Sequence, residues 1–286
     1  MALGPRAVVN ARPAAPPRVG LLPSVGTTDE LEARWEAGFA YAAENCVAAG
    51  VFDPCGPGTL DPPANRAMVE ADPFAVWAAD ECSAFGFSER DWQGRARRLL
   101  EACQSKQVER ELWRGDLSRA DSDINNAFLA SADADVIGAP GTSLRDGLAC
   151  LEQALADCSC GARGMIHATR QVVTHWQGLG LLRREGSLVL TINDTIVIPG
   201  AGYDGSGPPA AAGDPPVAAV TGGVWAYATG IVDVRLSPQI DIVPGSFAQA
   251  FDRSTNTIAF RAERLAAASW DGCCHIAIAL DAALCG

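Results

Sequence analysis

The strongest constraint on the fold is a stretch of 26 residues, 88–113, with the pattern of a single long helix. It opens with a serine followed three positions later by an aspartate, a common N-terminal capping pattern. The apolar residues of its first half share one side of the helix, at Trp92, Ala96, Leu99 and Cys103. Val108 and Leu112 point to nearly the opposite side, unlike the residues of a helix with one buried face. The helix therefore either bends near residues 104–107 or contacts one body with its first half and another with its second.

Three further helices are predicted from capping residues and apolar spacing. They cover residues 27–50, a segment that begins after Ser143, and residues 164–179. In the first, Thr27 and Glu30 form a capping-box pattern. The apolar positions in register are Leu31, Trp35, Phe39, Ala42 and Cys46 in the first helix, Leu144, Leu148, Leu151 and Leu155 in the second, and Met165, Val172, Trp176 and Leu179 in the third.

Strand patterns dominate the sequence after Gly186. The predicted strands are 74–85, 188–191, 195–198, 231–236, 257–263 and 275–280. The second and third flank Asn193-Asp194, a short hairpin signal. The last is almost wholly apolar, as in a strand buried on both faces. Because the helices largely precede the strands in the sequence, the predicted fold is mixed α+β.

The N-terminal residues have a different composition. The first 26 residues contain five prolines, so we expect no helix there. Valines and leucines between the prolines would not stay exposed to solvent, so the segment is predicted to be an extended arm lying on a partner surface. Residues 52–63, with six prolines and glycines, are predicted to be a loop.

Charge and composition exclude several classes of protein. The formal net charge is −12, which argues against a protein that grips nucleic acid through clustered cations. No stretch approaches 18 uninterrupted apolar residues, so we expect no membrane span, and the N-terminus lacks a secretory pattern. The ten cysteines include no CxxC pair, and we expect them to be reduced, small apolar residues of a cytoplasmic chain. They are Cys46, Cys55, Cys82, Cys103, Cys150, Cys158, Cys160, Cys273, Cys274 and Cys285.

One motif invites a functional interpretation. Gly200 to Gly205 match the pattern GxGxxG, which in a dinucleotide-binding fold opens a helix that holds a pyrophosphate. Four prolines within residues 208–216 prevent a helix from starting here. The motif is therefore predicted to be a flexible glycine-rich loop, and an oxidoreductase stays only as a weak alternative.

The sequence offers no catalytic constellation. His167 and His175 are predicted to lie about two turns apart on one helix, too far to chelate one metal ion, and His275 is predicted to be a satisfied core residue. Asp80 and Glu81 are predicted to belong to a solvated face. No HExxH, GxSxG or GKS/T motif occurs. We therefore assign no catalytic, cofactor-binding or metal-binding residue and expect that the protein is not an enzyme and needs no cofactor.

The order of the elements resembles the major capsid proteins of tailed bacteriophages of the Hong Kong 97 type. The resemblance rests on the run SERDWQGRARRLLE from Ser88, the segment TIVIPGAGYDG from Thr195 and the closing run AERLAAASWDGCCHIA from Ala262. It implies an arm and helix at 1–50, an E-loop-like excursion at 51–76, an A domain at 141–236, and a P domain at 77–140 and 237–286 that contains the spine helix 88–113. These bounds are what the resemblance implies, because no single motif is diagnostic.

The resemblance also implies a function. A protein of this kind is a structural subunit that assembles into the hexamers and pentamers of an icosahedral shell around double-stranded DNA, without base-specific contacts and without a membrane. The alternative is another virion protein, of the tail or of the decoration type. Further partners would be scaffolding, portal or decoration proteins, and the place would be the virion, assembled in the host bacterial cytoplasm. Lys106 is the only lysine, so we expect non-covalent assembly. The short arm leaves no room for a fused scaffolding segment, so we expect scaffolding to be separate or unnecessary.

Four placements follow from these interpretations. The spine helix should lie across a sheet that contains both Thr257–Glu263 and Cys274–Leu280, and residues 1–26 should be extended against a neighbouring subunit. The loop Gly200–Pro216 should lie near the axis of the capsomer. Within it, Tyr203 and Ala210–Ala212 should face inward, since Asp204 and Asp214 have no nearby cation in the sequence. The basic residues at the start of the helix face DNA, a neighbour or solvent, and they are Arg90, Arg95, Arg97 and Arg98.

Overall fold

The computed structural model describes residues 15–26, 35–43, 68–83, 89–159 and 161–283. The helices are α1 (Leu21–Val25), α2 (Glu89–Arg114), α3 (Asp116–Ala120), α4 (Leu144–Cys158), α5 (Arg170–Gly178) and α6 (Phe247–Ala250), and a 3-10 turn covers Trp35–Ala37. The strands are β1 (Phe39–Ala42), β2 (Met68–Ala71), β3 (Phe74–Ser83), β4 (Asp135–Val136), β5 (Met165–Thr169), β6 (Leu182–Glu185), β7 (Leu188–Thr191), β8 (Ile196–Gly200), β9 (Val224–Thr229), β10 (Val232–Leu236), β11 (Asp241–Val243), β12 (Phe251–Asp252), β13 (Thr257–Trp270) and β14 (His275–Leu280). None of these helices is both long and apolar enough to cross a bilayer.

The first large sheet is built around β13. This strand pairs antiparallel with β3 on one side and with β10, β11 and β12 on the other. Its residues alternate, so that Ile258, Phe260 and Ala262 are buried while their neighbours face outward. The helix α2 packs against β3 and β13 and buries Trp92 in the same cluster as Phe260.

The second large sheet has seven strands in the order β4-β14-β9-β5-β8-β7-β6. The helices α4 and α5 cover one face, where Leu148, Leu151 and Trp176 are buried. The other face contributes Ile198 and Tyr227 to the cluster that surrounds α2. The strand β14 therefore packs on both faces, and its buried residues Ile276–Leu280 confirm the pattern predicted for it.

Several predicted elements are confirmed. The helix α2 matches the predicted 88–113, and α4 begins after Ser143, whose hydroxyl oxygen accepts a hydrogen bond from the Asp146 amide. The strand β3 matches the segment predicted from Phe74. The hairpin at Asn193-Asp194 joins β7 to β8, and the mixed α+β class is correct.

One predicted helix is wrong in its described residues, and another is wrong in its first part. Residues 35–43 of the first form a 3-10 turn and the strand β1, and Gly38 between them has a φ of 94°, which a helix cannot take. Its residues 27–34 and 44–50 lie outside the described residues. In the predicted helix 164–179, the first part is the strand β5, which pairs with β8 and β9, and the helix begins only at Arg170. An apolar strand with both faces buried has no alternation that would distinguish it from a buried helix.

The arm is not extended throughout. Leu21–Val25 form the helix α1, with Pro23 in its first turn, where a missing N–H group leaves no helical hydrogen bond unmade. Residues 1–14 lie outside the described residues. The predicted placement of α2 is correct for Thr257–Glu263 but wrong for Cys274–Leu280, because the chain turns after Trp270 and β14 joins the other sheet.

The prediction that the cysteines are reduced is wrong for part of the chain. Cys158 at the end of α4 and Cys274 beside the start of β14 form a disulfide, with their Cα atoms 5.7 Å apart. Cys273 is disulfide-bonded as well. Cys103 and Cys150 are free. The pairing arises because α4 runs back along β14, so that two sites 116 residues apart in sequence meet.

Candidate functional site

The helix α2 contacts two different bodies, which was one of the two alternatives. Its first half buries Trp92, Ala96 and Leu100 against β3 and β13. Its second half turns other side chains toward α1 and the loop after β8, where Glu109 and Trp113 make their contacts. Two residues of the predicted apolar stripe are not fully buried. Leu99 is half-buried and Cys103 is exposed. We call the meeting place of α1, the second half of α2 and residues 200–206 the junction.

The carboxylate of Glu109 is the centre of the junction. It is fully buried. Its Oε1 accepts hydrogen bonds from the Leu21 amide at 2.9 Å and the Ser105 hydroxyl at 3.0 Å. Its Oε2 accepts from the amides of Ala201 at 2.7 Å and Gly202 at 3.0 Å. A buried carboxylate is stable only when such donors replace its hydration, so this one side chain connects the arm, the long helix and the loop.

Close packing explains the glycines at the junction. A Cβ atom on Gly202 would lie 2.2 Å from the Lys106 carbonyl oxygen of α2, and one on Gly20 would lie 2.6 Å from Oε1 of Glu109. Both distances are too short for real contacts, so only glycine lets the backbone approach the helix. The prediction of a flexible loop is therefore wrong at residues 200–207. The absence of a dinucleotide-type helix is confirmed, and the amides of residues 201 and 202 are occupied by the chain's own carboxylate.

A buried aromatic cluster lies beside Glu109. The Trp113 ring centroid is 4.7 Å from that of Tyr203 and 4.8 Å from that of Tyr227. Its indole Nε1 donates to the hydroxyl oxygen of Ser206 at 3.0 Å. Burial raises the pKa values of both tyrosines well above the ordinary range, so both are neutral. The cluster attaches the end of α2 to the seven-stranded sheet.

His167 completes this cluster from the strand β5. Its Nδ1 lies 2.9 Å from the Tyr203 hydroxyl and its Nε2 lies 3.0 Å from Thr229 Oγ1. Because the Thr229 hydroxyl donates its own hydrogen to the Gly230 carbonyl, Nε2 must be the donor and Nδ1 the acceptor. Burial lowers the pKa of His167 to about 3, so the ring is neutral. Its two bonds hold Tyr203 and β9 in place.

The other histidines are placed differently from each other. His175 is exposed on α5, so the prediction that it shares a helix with His167 is wrong. His275 donates from Nε2 to the Leu129 carbonyl at 2.8 Å, which confirms it as a satisfied residue of the core. Among the described residues, no three His, Cys, Asp or Glu side chains are grouped so as to hold a metal ion.

Charged side chains around the junction correct two further predictions. Asp204 pairs with Arg114 at the end of α2, so it does have a nearby cation. Asp80 is buried and pairs with Arg95 at 3.1 Å, so it does not belong to a solvated face. Arg97 and Arg98 are exposed. The side chain of Arg90 lies outside the described ones.

The loop 200–216 divides into a packed part and an exposed part. Tyr203 is 5% exposed and points into the junction, so it cannot face a capsomer axis as predicted. Residues 210–215, which include Ala210–Ala212 and Asp214, are exposed. Glu109, Trp113 and His167 build this site, and none of the three was predicted from the sequence to do so. The signal for the first two was the change of side in the apolar pattern of the helix.

No protein-family model and no curated protein matches this chain. Solved structures do. The capsid of a native GTA particle matches with a TM-score of 0.55 at 11% identity, over 99% of this chain and 96% of that one. The capsid of Ralstonia phage GP4 matches with a TM-score of 0.55 at 10% identity, over 100% and 96%. A structure of Microbacterium phage Oxtober96 matches with a TM-score of 0.54 at 12% identity, over 98% and 95%. The predicted Hong Kong 97-type fold is thereby confirmed.

Proposed function

We propose that this chain is a major capsid protein that assembles into an icosahedral shell around double-stranded DNA. The observation that carries the proposal is the extent of the likeness to phage and GTA capsids, which spans nearly all of both chains. The likeness is therefore to a whole shell subunit and not to a domain that many proteins share. A tail or decoration protein has no comparable support. The oxidoreductase alternative rested on the glycine motif, and the amides of residues 201 and 202 in that motif bind Glu109.

The domain bounds are part of this proposal. Residues 1–50 form the arm region, 51–76 the excursion, 77–140 and 237–286 the P domain, and 141–236 the A domain. In support, α2 and the strands β11, β12 and β13 fall within the P-domain bounds, and β1 of the arm region pairs with β2 of the excursion. The strand β10 pairs with β13 although it lies within the A-domain bounds. The strands β4 and β14 lie within the P-domain bounds but pair in the seven-stranded sheet, so the two domains share strands.

The partners are also proposed. The chain would form hexamers and pentamers with copies of itself and would meet scaffolding, portal or decoration proteins. The net charge of −12 suits a wall that encloses DNA without gripping its bases. The exposed residues 210–215 are our candidate for the part of the loop near the capsomer axis. Contact of residues 1–14 with a neighbour stays a prediction.

The proposed place is the virion, assembled in the host bacterial cytoplasm. Disulfides are rare in a reducing cytoplasm and persist outside it. If the shell assembles in the cytoplasm, the Cys158–Cys274 bridge would form only after the particle leaves the cell. Such a bridge would stabilise the shell subunit in the medium.

The decisive experiment is to express the full chain alone and to examine it by light scattering and negative-stain microscopy. Closed particles of megadalton mass are expected. Tubes or isolated rings would instead indicate a tail protein, and a small oligomer of fixed mass would overturn the shell. A parallel co-expression with a scaffolding protein is the control for a chain that forms particles only when scaffolding is present.

A further inference from the structure

The seven-stranded sheet has two edges in the described part of the chain. The strand β4 ends it on one side and β6 on the other, and each pairs with one neighbour only. An open strand edge is a ready surface for another chain unless its side chains prevent pairing. The two edges carry opposite charges, and this difference indicates what each of them meets.

The β4 edge is acidic. Asp133 and Asp135 are exposed, and neither pairs with a basic residue among the described ones. Residues 129–142 contain no lysine or arginine. The two carboxylates act on His275, but burial lowers the pKa of this ring, so it supplies no compensating charge at neutral pH. Val136 stands between the carboxylates and the following turn with 58% of its surface exposed.

The β6 edge is basic. Arg184 is exposed, and the contact of its guanidinium is with the Gly186 carbonyl, not with a carboxylate. Arg163 and Arg145 are exposed, line a cleft together with Leu181 just before β6, and pair with no acidic group in the described residues. Arg183 is already neutralised by Glu185 and Asp194. Three uncompensated arginines are notable in a chain with a net charge of −12.

A cleft opens beside these arginines. It has a volume of about 530 Å³ and lies between α4 and the turn that joins β7 to β8. Its apolar lining includes Leu148, Leu155 and Leu181, and Ile192 at its rim is 86% exposed. Glu152 also lines the cleft, and its Oε2 accepts hydrogen bonds from Asn193 and Thr195 of the same chain. A mainly apolar cleft with two unpaired arginines in its lining fits a partner that presents an aliphatic side chain flanked by carboxylates.

We propose that the β4 edge of one copy docks head to tail on the β6 edge of the next, with Val136 entering the cleft and Asp133 and Asp135 facing the arginines. The proposal rests on the proposed shell function and names one contact within the capsomer. Two different patches on one chain form a heterologous contact, and such contacts close into rings when the rotation from one copy to the next divides a full turn. A contact between two β4 edges would oppose aspartates, and a contact between two β6 edges would oppose arginines, so both symmetric arrangements are disfavoured.

Charge reversal with rescue tests the contact. Asp135→Arg and Arg184→Glu are made singly and together in the full chain. Both side chains are exposed, so the fold should survive, which circular dichroism and the melting temperature verify. Like charges across the contact should lower the yield of assembled particles about tenfold or more in each single variant. The double variant should recover most of that yield. Arg253→Glu, an exposed reversal on the other sheet, is the matched control.

The outcomes separate the two proposals. If both single variants assemble like the wild type, or if the double variant is no better than the singles, the contact is wrong and the shell proposal stands. If the Arg253→Glu control lowers the yield of assembled particles equally, the change in net charge alone explains the loss, and the contact is overturned as well. If the wild type forms rings without shells, sedimentation measures the yield of rings in the same single and double variants. A wild type that stays monomeric overturns both proposals.

Discussion

Glu109 offers the sharpest test of the junction, through the pair of substitutions Glu109→Gln and Glu109→Ala. The glutamine keeps the size of the side chain. With its oxygen toward Ala201 and Gly202, its amide group can donate to the Ser105 hydroxyl, and only the Leu21 amide is left facing another donor. One unpaired buried amide and the loss of charge from the remaining bonds cost about 2 kcal/mol.

The alanine variant removes every acceptor at once. Three backbone amides, of Leu21, Ala201 and Gly202, then stay buried without a partner. Each such group costs about 1–3 kcal/mol, so we expect a loss of about 5 kcal/mol. Part of this loss is recovered because a buried carboxylate is no longer desolvated. The order of stability should be wild type, then glutamine, then alanine.

Urea unfolding measures the free energies, with all variants compared in the same oligomeric state. Hydrogen exchange adds a local readout, because the amides of Leu21, Ala201 and Gly202 should exchange faster in Glu109→Ala than in the wild type. Glu101→Gln, an exposed glutamate on the same helix, is the control and should change neither quantity. A loss below about 1 kcal/mol in Glu109→Ala with unchanged exchange at these amides would refute the role of the carboxylate.

The remaining predictions concern pH and the disulfide. Because the folded pKa of His167 is about 3, the unfolded chain takes up a proton below pH 6.5 that the folded chain does not, and stability should fall by about 2 kcal/mol at pH 5. An NMR titration showing the His167 ring charged at pH 5 would contradict this. Removal of the Cys158–Cys274 bridge, which spans 116 residues, should lower the free energy of unfolding by about 5 kcal/mol. Because dithiothreitol would also open the bridge that holds Cys273, the melting temperature of the double variant Cys158→Ser, Cys274→Ser is compared with that of the wild type. No change would show that the bridge is dispensable, and Cys103→Ser is the control.

The elements that the sequence predicts well are those whose pattern is complete within one element. The cap at Ser143 and the leucines at 148, 151 and 155 lie within fifteen residues, and they define α4 without reference to the rest of the chain. The alternation in 257–263 likewise reports one buried face and one outer face, which a strand of the sheet around β13 satisfies by itself.

The failures occur where distant pairing decides the structure. Met165–Ala168 are buried on both faces because β8 and β9 flank them and core clusters lie above and below, and such a run has no period of its own. Phe39 and Tyr41 extend because β2 pairs with them from about 30 residues away. The bridge from Cys158 joins two ends of elements that no local pattern connects.

The junction could be predicted only in part. The change of apolar side near residue 104 correctly indicates two bodies, yet Glu109 looks like any acid on a charged helix. Its role depends on three amides from two other segments, which come together only in the fold. A pair at positions i and i+4, Ser105 and Glu109, on the newly apolar side was the available clue.

The glycines after β8 then acquire a different meaning. A Cβ on Gly200 would lie 2.3 Å from the Tyr203 ring, and one on Gly207 would lie 2.2 Å from the Trp225 indole nitrogen. These glycines therefore allow close packing and do not make the loop flexible. With Glu109 bound to the same loop, the seven-stranded sheet and the second half of α2 are held as one body. If subunits adapt to rings of five and six, the adjustment must take place outside this body, and within the loop only residues 210–215 are free of its packing.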